Sequence, residues 1–469
     1  MNAEPDLYQQ RIEQFFVENA TDEIETIYQW ARARYAAPWA VLAAVLLRVI
    51  ANVEPHVQLP GVIGGRASLN LFAAFVGHSG AGKGTSDTVG ALAYPAPVAT
   101  FPIGSGEGVA ALFSRPSKED ENNEPITRAI LNVPEVDKLA GLFARQGTIL
   151  SAELKALAMG EQIGQQNARK DTTRIVPAHS YRCCMSVGVQ PENSRCLFDD
   201  TSGGTPQRFW WVPVIDPHMP REAPSAPNPL DTSMPEWNSP GADAFEMEYA
   251  IEEIRELIID THLAKQRGEL TDPLAGHAIL MRCKLAAALA LLHKRMVIGT
   301  DDWQRSGVLM ELSDETRQMV LHHVADADRR KNTARALAVA EREEVVSDRR
   351  AQRARETILR KIDTRGQLTK NQLRMAMKVD IRDYLDSALS DLLESGEITI
   401  SPVNRGTRKV HMYHRYIDEK PGTTSDDGLC TKSTYVPTPL DVARNKRPRQ
   451  RRRTRGKFHT DQQTNEAAS

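Results

Sequence analysis

Residues 77–85, GHSGAGKGT, combine four glycines and one lysine at a spacing that suits phosphate binding. Glycines let successive backbone N–H groups turn inward around phosphate oxygens, and Lys83 is placed to reach the β- and γ-phosphates. A helix that starts at Lys83 would also point the positive end of its dipole at the anion. The pattern predicts a P-loop that binds ATP. The alternative is a glycine-rich turn with a chance lysine.

A bound nucleoside triphosphate normally carries Mg²⁺, which takes oxygen ligands. In P-loops a hydroxyl usually follows the lysine, but Gly84 occupies that position. We therefore predict Thr85 as the Mg²⁺ ligand, with Ser86 as the alternative. The predicted nucleotide ligands of the loop and the following helix are Gly77, Gly80, Gly82, Lys83, Gly84, Thr85 and Ser86.

Two acids follow an apolar run about 50 residues after the loop. The run at 129–133 ends in Pro134, and Glu135 and Asp137 come next. P-loop ATPases need one carboxylate to hold Mg²⁺ and one to polarise the attacking water. We assign Glu135 to the water or the metal and Asp137 to the metal shell. The alternative is that both are ordinary solvated acids at a strand end.

Three further polar residues are candidates for contact with the γ-phosphate. Gln190 ends the run 183–189, where it would meet the phosphate or the attacking water, or only begin a loop. Arg208 lies between a glycine pair and an apolar run, a position that suits an arginine finger acting on a neighbouring subunit, or a surface salt bridge. Arg282, on an amphipathic helix, is a candidate phosphate sensor or a solvated arginine on the helix face.

Alternating strands and helices are needed to position these groups. Nearly continuous apolar runs are typical of strands that are buried on both faces of a parallel sheet. Helical segments at 108–113 and 152–159 lie between the runs, and this alternation predicts an α/β layer architecture. The predicted strands are 69–76, 129–133, 183–189 and 209–215.

The rest of the chain divides by composition. Helical periodicity covers residues 6–52, seven prolines mark 216–240 as an extended strap, and amphipathic helices at 277–296 and 301–322 form a helical lid. Residues 356–413 read as three helices, the second at 368–377 and the third at 381–394, followed by a hairpin, which is the winged-helix order. The predicted domains are an N-terminal helical segment (1–60), an α/β P-loop NTPase core (61–240), a helical lid (241–325), a charged helical linker (326–355), a winged-helix domain (356–416) and a disordered basic tail (417–469).

Composition points to a soluble cytoplasmic protein without a membrane partner. The 469 residues carry a formal net charge of −2 and five cysteines, an odd number with no CxxC pair. Such cysteines are typical of reduced thiols. Residues 1–14 lack the apolar core of a signal peptide, and the longest apolar stretch, 36–47, is too short to span a bilayer.

The motifs together resemble a family. Residues 35–325, about three fifths of the chain, are similar to P-loop helicase-like replication ATPases of actinobacterial phages, prophages and mobile elements, often called primase–helicases, with an AAA+ or RecA-like core. The matching segments are LNLFAAFVGHSGAGKG at 69–84, SGEGVAALF at 105–113, ILNVPEVDKL at 130–139, AHS at 178–180, SGGTPQRFWWVPV at 202–214 and RCKLAAALALLHKRMVIGTDDW at 282–303.

This resemblance implies ATP hydrolysis with Mg²⁺, a ring oligomer that could be a hexamer, and DNA replication as the setting. Gly84 departs from the family pattern. No primase module is expected within this sequence, so a primase or polymerase would be a separate chain. The substrate implied for such a helicase is single-stranded or forked DNA.

Basic residues near the C-terminus are the candidate DNA contacts. Residues 444–457 contain nine Lys or Arg and no acid, which favours salt-sensitive binding to phosphates. The third helix of the winged-helix segment is acidic, so we expect the hairpin to touch DNA and that helix to pack on protein. The tail is expected to bind DNA as well, and the alternative is a solubilising or assembly tail. The predicted nucleic-acid ligands are Arg405, Arg408, Lys409, Arg447, Arg451, Arg452 and Arg453.

Two other functions fit the same motifs. An ATPase switch could serve as a replication initiator, a loader or a DNA-binding regulator. A nucleotide kinase is suggested by the Gly that follows Lys83, but such kinases are usually about half this length and lack the winged helix and the basic tail.

Overall fold

The structure of the chain, a computed structural model, describes residues 6–114, 126–168, 173–199, 204–237, 244–269, 277–405 and 408–416. Of residues 404, 405 and 408 it describes the backbone alone. The chain divides into two units, Met1–Glu341 and Arg342–Ser469. The expected boundaries after residues 60, 240 and 325 fall inside the first unit, and the one after residue 355 falls inside the second.

In the described part of the chain four helical elements precede the first strand, as the periodicity of residues 6–52 predicts. They are α1 (Leu7–Glu13), a π-helix (Gln14–Glu18), α2 (Asp22–Ala33) and α3 (Pro38–Asn52). All 15 residues of α3 are buried. Pro38 occupies its first turn, where a missing N–H costs nothing. A helix that is buried all round belongs to a core, so α3 is an internal part of the first unit.

From residue 57 to residue 213 the chain contains both strands and helices. The elements are β1 (Val57–Leu59), β2 (Ala67–Ser68), β3 (Phe72–Val76), α4 (Lys83–Ala93), β4 (Thr100–Pro102), α5 (Gly106–Phe113), β5 (Arg128–Val133), α6 (Val136–Phe143), α7 (Leu150–Met159), β6 (Ile163–Gln165), β7 (Arg174–Val176), β8 (Arg182–Val189), α8 (Arg195–Phe198) and β9 (Phe209–Pro213).

A five-stranded parallel sheet, in the order β4-β5-β8-β3-β9, is the centre of the first unit. All four apolar runs predicted as strands lie in it, so the predicted α/β class with a parallel sheet is confirmed. The fifth strand, β4, was not predicted. Its three residues are largely solvent-exposed and end in Pro102, so it lacks the apolar run by which the other strands were recognised.

Helices cover both faces of this sheet. Side chains alternate along β3, so that Ala73 and Phe75 join a core cluster with α3. Phe72, Ala74 and Val76 join a second cluster with α5, α6, α7 and α8. The architecture is therefore three-layered, with both faces of a parallel sheet buried.

The proline-rich segment that follows β9 contains neither helix nor strand over residues 214–237. The N–H of Leu230 donates to the carbonyl of Ala93 at the end of α4, at 2.8 Å. The remaining elements of the first unit are β10 (Phe245–Glu246), β11 (Glu248–Tyr249), α9 (Glu252–Gln266), α10 (Ala278–Leu292), β12 (Val297–Ile298) and the start of α11 (Thr300–Arg365).

The second unit begins with the end of α11. It continues with β13 (Leu368–Thr369), α12 (Lys370–Ala376), a 3-10 helix (Val379–Tyr384), α13 (Leu385–Glu394), β14 (Ile398–Arg405) and β15 (Arg408–Arg415). The three strands form an antiparallel sheet in the order β13-β15-β14. Its core includes Ile358 of α11, Leu373 of α12, Leu389 of α13 and Ile398 of β14.

Two details differ from the predicted helices of this unit. The helix expected at 368–377 starts only at Lys370, because Thr369 pairs in β13 and then caps α12 in a capping box with Gln372. The helix expected from residue 381 starts with the 3-10 helix and becomes α-helical at Leu385. In the described part of the chain no helix is both long enough and apolar enough to cross a membrane.

Candidate functional site

A cleft of about 530 Å³ opens at the carboxyl edge of the parallel sheet. Open α/β sheets bind ligands at this edge, where connections leave neighbouring strands in opposite directions. The cleft is lined by Phe75, Gly80, Ala81, Gly82, Lys83, Gly84, Thr85, Asp87, Thr88, Asn132, Val133, Pro134, Glu135, Ser186 and Gly188.

The glycine-rich loop forms one wall of the cleft. Gly80 has φ +77° and Gly82 has φ +95°, a left-handed conformation that side chains with a Cβ rarely adopt. Gly82 is the residue that precedes α4. The loop therefore turns sharply, and the first N–H groups of an 11-residue helix face the cleft.

Lys83 is largely buried at the start of α4, with its side chain 7% exposed. Its Nζ donates to the carbonyl of Gly77 at 3.1 Å and to that of His78 at 3.0 Å. The same Nζ lies 3.9 Å from Oε1 of Glu135. The structure thus brings the predicted phosphate-binding lysine and the predicted catalytic carboxylate together.

A chain of hydrogen bonds connects Glu135 to three polar side chains that do not line the cleft. Gln190 Nε2 donates to Glu135 Oε2 at 2.8 Å. Asn193 Nδ2 donates to Gln190 Oε1 at 3.2 Å and to Asp137 Oδ2 at 3.0 Å. Glu135 lines the cleft, whereas Asp137 contacts Asn193 and does not line it. Asn193, in the 3-10 turn after β8, was not identified from the sequence.

The two predicted hydroxyl ligands differ in placement. Thr85 lines the cleft and is exposed. Ser86 is buried, and its Oγ donates to the carbonyl of Gly82 at 3.1 Å. Ser86 is therefore turned onto the helix backbone and does not line the cleft.

The cleft offers only hard oxygen donors to a metal ion, among them Thr85, Asp87 and Glu135. Within the described residues no group of three or more His, Cys, Asp or Glu side chains could hold a metal alone. Mg²⁺ at nucleotide sites is held by one or two carboxylates together with phosphate oxygens and water. The residues present fit that mode of binding.

Asp87 is a cleft residue that the sequence analysis missed. Its Oδ1 accepts from Arg48 Nη1 at 3.0 Å, and its Oδ2 accepts from Asn132 Nδ2 at 3.2 Å. The spacing from Lys83 to Asp87 is four residues, which places both on one face of α4. That spacing is the signal by which the sequence could have revealed it.

The predicted arginines lie away from the cleft of their own chain. Arg208 precedes β9 at the amino edge of the sheet, and its Nη1 donates to the carbonyl of Gly204 at 2.6 Å. Arg282 stacks on the ring of Trp303 with Cζ 3.8 Å from the ring centroid, and its Nη2 donates to the carbonyl of Trp303 at 3.1 Å.

Most of the predicted DNA contacts lie outside the described side chains. Lys409 is exposed at the start of β15. The side chains of Arg405 and Arg408 are not described. Residues 417–469 lie outside the described chain, and with them the tail residues Arg447, Arg451, Arg452 and Arg453.

No protein-family model matches the sequence, and no curated protein matches it significantly.

Proposed function

We propose that the chain is an ATP-dependent DNA helicase or replication motor of a phage or mobile element, active as a ring oligomer. One observation carries the proposal: the glycine-rich loop, Lys83 and Glu135 meet in a single cleft at the carboxyl edge of a parallel sheet. The strand order supports it, because β8 lies between β3 and β5 and delivers Gln190 to Glu135. In this proposal residues 77–85 are a P-loop.

Hydrolysis of ATP breaks the bond between the γ-phosphorus and the β–γ bridging oxygen while a water oxygen bonds to that phosphorus. Glu135 accepts the proton that the attacking water loses, and Gln190, hydrogen-bonded to Glu135, orients that water. Lys83 stabilises the negative charge on the β- and γ-phosphates. A bound Mg²⁺ would supply further charge neutralisation at the same oxygens. The products are ADP and inorganic phosphate.

The C-terminal unit supports contact with DNA through its hairpin rather than through its helices. We propose that this unit is a winged-helix domain whose wing, with Arg405, Arg408 and Lys409, meets the phosphate backbone together with the basic tail. The surface of the 3-10 helix and α13 is unsuited to DNA because phosphates would be repelled there. Its exposed acids are Asp380, Asp383, Asp386, Asp391 and Glu394.

An ATPase switch is the second candidate function. A replication initiator, loader or DNA-binding regulator would use the same cleft, and the acidic surface of α13 favours docking of that unit on a protein, such as a separate primase or polymerase. A nucleotide kinase is disfavoured. Lys83 is the one cation among the described residues that line the cleft, whereas such kinases surround both nucleotides with several arginines.

The test compares Lys83→Ala with Lys138→Ala, an exposed lysine on α6 that does not line the cleft. Phosphate release is measured with and without single-stranded DNA. We expect Lys83→Ala to lower kcat by about 100-fold or more, because it removes charge stabilisation of the phosphates. Lys138→Ala should resemble the wild type. Full turnover by Lys83→Ala would refute the assignment of the loop.

Strand displacement on forked DNA then separates the two candidate functions. The motor proposal predicts ATP-dependent displacement by the wild-type protein. Hydrolysis without displacement on forks of either polarity would reject the motor and favour the initiator or loader.

A further inference from the structure

The carboxylate of Asp87 lies in the proposed nucleotide cleft and has no part in the hydrolysis described above. It stands one helical turn after Lys83 on α4, with its side chain 20% exposed. Among the described residues that line the cleft, Asp87 and Glu135 are the only acids. A carboxylate held beside bound phosphates would repel them unless a cation lay between.

Two donors hold this carboxylate in a fixed orientation. Arg48 is buried in α3 and reaches Oδ1, while Asn132 at the cleft end of β5 reaches Oδ2. An ionised carboxylate has about four acceptor sites, so each oxygen keeps capacity for another partner. Hydrogen-bond partners that orient a carboxylate in this way are typical of metal ligands.

Three of the oxygen donors expected for Mg²⁺ are missing from the cleft, whereas Thr85 and Glu135 line it. Gly84 replaces the hydroxyl that usually follows the lysine. Ser86 is turned onto Gly82, and Asp137 is turned onto Asn193, outside the cleft. A Cβ added to Gly84 would meet no heavy atom within 4 Å, so the space beside this position, one turn before Asp87, is open.

We propose that Asp87 holds the Mg²⁺ ion that accompanies the bound nucleotide, with Arg48 and Asn132 as its positioning residues. The inference rests on the proposed nucleotide site. It assigns the metal to a carboxylate of the helix after the loop, and it leaves Glu135 to accept the proton of the attacking water. The competing explanation is that Arg48 and Asp87 form an ion pair that only fastens α3 to α4.

The experiment measures binding of a fluorescent, non-hydrolysable ATP analogue to the full chain over a range of Mg²⁺ concentrations, including EDTA. We expect Asp87→Asn to raise the Mg²⁺ concentration at half-maximal binding by about 10-fold or more. Binding in EDTA should stay equal or become tighter, because one negative charge near the phosphates is gone. A purely structural ion pair would not produce this opposite response.

Three further variants make the result specific. Asp137→Asn should leave the Mg²⁺ dependence unchanged, because that carboxylate is outside the cleft. Arg48→Gln breaks the ion pair but keeps the carboxylate, so its shift should be smaller than that of Asp87→Asn. Adding Gly84→Ser to Asp87→Asn supplies a hydroxyl where there is room for one, and this should bring the Mg²⁺ dependence back toward the wild type.

An unchanged Mg²⁺ dependence in Asp87→Asn, or a shift in Asp137→Asn instead, overturns the assignment while the nucleotide site stands. Failure of the wild-type chain to bind the analogue at any Mg²⁺ concentration overturns the proposed function itself. Should Asp87→Asn not fold, Asn132→Ala removes one positioning residue and keeps the ion pair. It should also raise the required Mg²⁺ concentration, and no change there rejects the proposal.

Discussion

Gly188 lies in β8 directly beside the side chain of Lys83. A Cβ at this position would stand 2.0 Å from the carbonyl oxygen of Pro134 and 3.3 Å from Cε of Lys83. The first neighbour is backbone at the end of β5 and has no rotamer by which to move away. The absence of a side chain at Gly188 therefore lets β5, which ends two residues before Glu135, approach the lysine closely.

We expect Gly188→Ala to lower the free energy of unfolding by about 1–3 kcal/mol, the usual cost of overpacking. It should also weaken nucleotide binding, because Lys83 and Glu135 would be pushed apart. Gly84→Ala is the matched control. Its Cβ meets no heavy atom within 4 Å, and alanine is the better helix former, so this variant should be at least as stable as the wild type.

Denaturant unfolding, with a fluorescent nucleotide analogue as the second readout, compares the two variants. Equal stability of both would show that β5 is free to shift away from β8. In that case the close approach of the two strands would not fix the geometry of the cleft.

At the scale of elements, apolar runs decide which strands the sequence predicts. β3, β5, β8 and β9 are buried on both faces, and each was found from its continuous apolar run. The short exposed edge strand β4 had no such signal. The 66-residue helix α11 was read as two helices and a charged spacer, although it contains no proline and a single glycine, Gly307. The absence of helix breakers was the better guide to its continuity.

The residues of the candidate site likewise divide into those that have a local sequence signal and those that have none. The sequence predicted Lys83, Glu135 and Gln190 because each follows a buried strand or the loop after it. The carboxyl ends of parallel strands lie at one edge of a sheet, so these residues were expected to meet. Asp87 and Asn193 were missed because their roles depend on contacts between separate elements. Arg48 becomes a neighbour of Asp87, and Asp137 a neighbour of Asn193, only after α3, α4 and α6 pack on the sheet.

Helix α10 carries a lysine into the core, and this makes stability depend on pH. Lys284 is fully buried, and its Nζ donates to the carbonyls of Asn70 and Ala158, both at 2.7 Å. Burial, together with the nearby guanidinium of Arg182, lowers the pKa of Lys284 from 10.5 to about 7. The thiol of Cys184 and the guanidinium of Arg208 also face this amine.

The direction in which stability changes with pH follows from the number of protons that Lys284 binds in the folded and unfolded chain. Between pH 7 and 10.5 the folded chain holds fewer protons at Lys284 than the unfolded chain, so its stability falls as pH falls through this window and levels off below about pH 7. The slope from this residue is at most about 1.4 kcal/mol per pH unit.

We expect Lys284→Met to remove this contribution. Unfolding of both proteins is measured from pH 7 to 10, and the difference in unfolding free energy between wild type and variant should grow toward high pH. Taking the difference cancels the titration of ionisable groups that do not face Lys284. A difference that stays constant with pH would show that the amine does not change its protonation in this range.

At the scale of the whole molecule, the proposed ring depends on where Arg208 lies. Phe209 pairs with Phe72 at one end of β3, whereas the loop follows Val76 at the other end. Four residues of strand, about 13 Å, separate the two edges, and Arg208 does not line the cleft of its own chain. An arginine finger at this position therefore has to serve a neighbouring subunit, which requires a head-to-tail interface of the kind that closes into rings.

Mixing two inactive variants tests this arrangement. Arg208→Ala should bind nucleotide normally but lose about 1,000-fold in hydrolysis, the usual contribution of an arginine finger. Lys83→Ala should lose its own site yet still offer Arg208 to a neighbour. If subunits mix randomly at equal ratio, about a quarter of the head-to-tail interfaces combine an intact Lys83 with an intact Arg208, and activity should recover in that proportion.

Particle mass, measured with ATP and single-stranded DNA, reports whether mixed oligomers form and whether they reach the size of a hexamer. Mixed oligomers that recover no activity at any ratio would exclude a finger acting between subunits. The half-buried hydrogen bond from Arg208 Nη1 to the carbonyl of Gly204 would then assign the residue a structural role in the turn that starts β9. Recovery of ATP hydrolysis by the mixture while every particle is a monomer would also contradict the proposal. Within one chain Arg208 and the cleft lie at opposite edges of the same sheet, so a monomer could not bring them together.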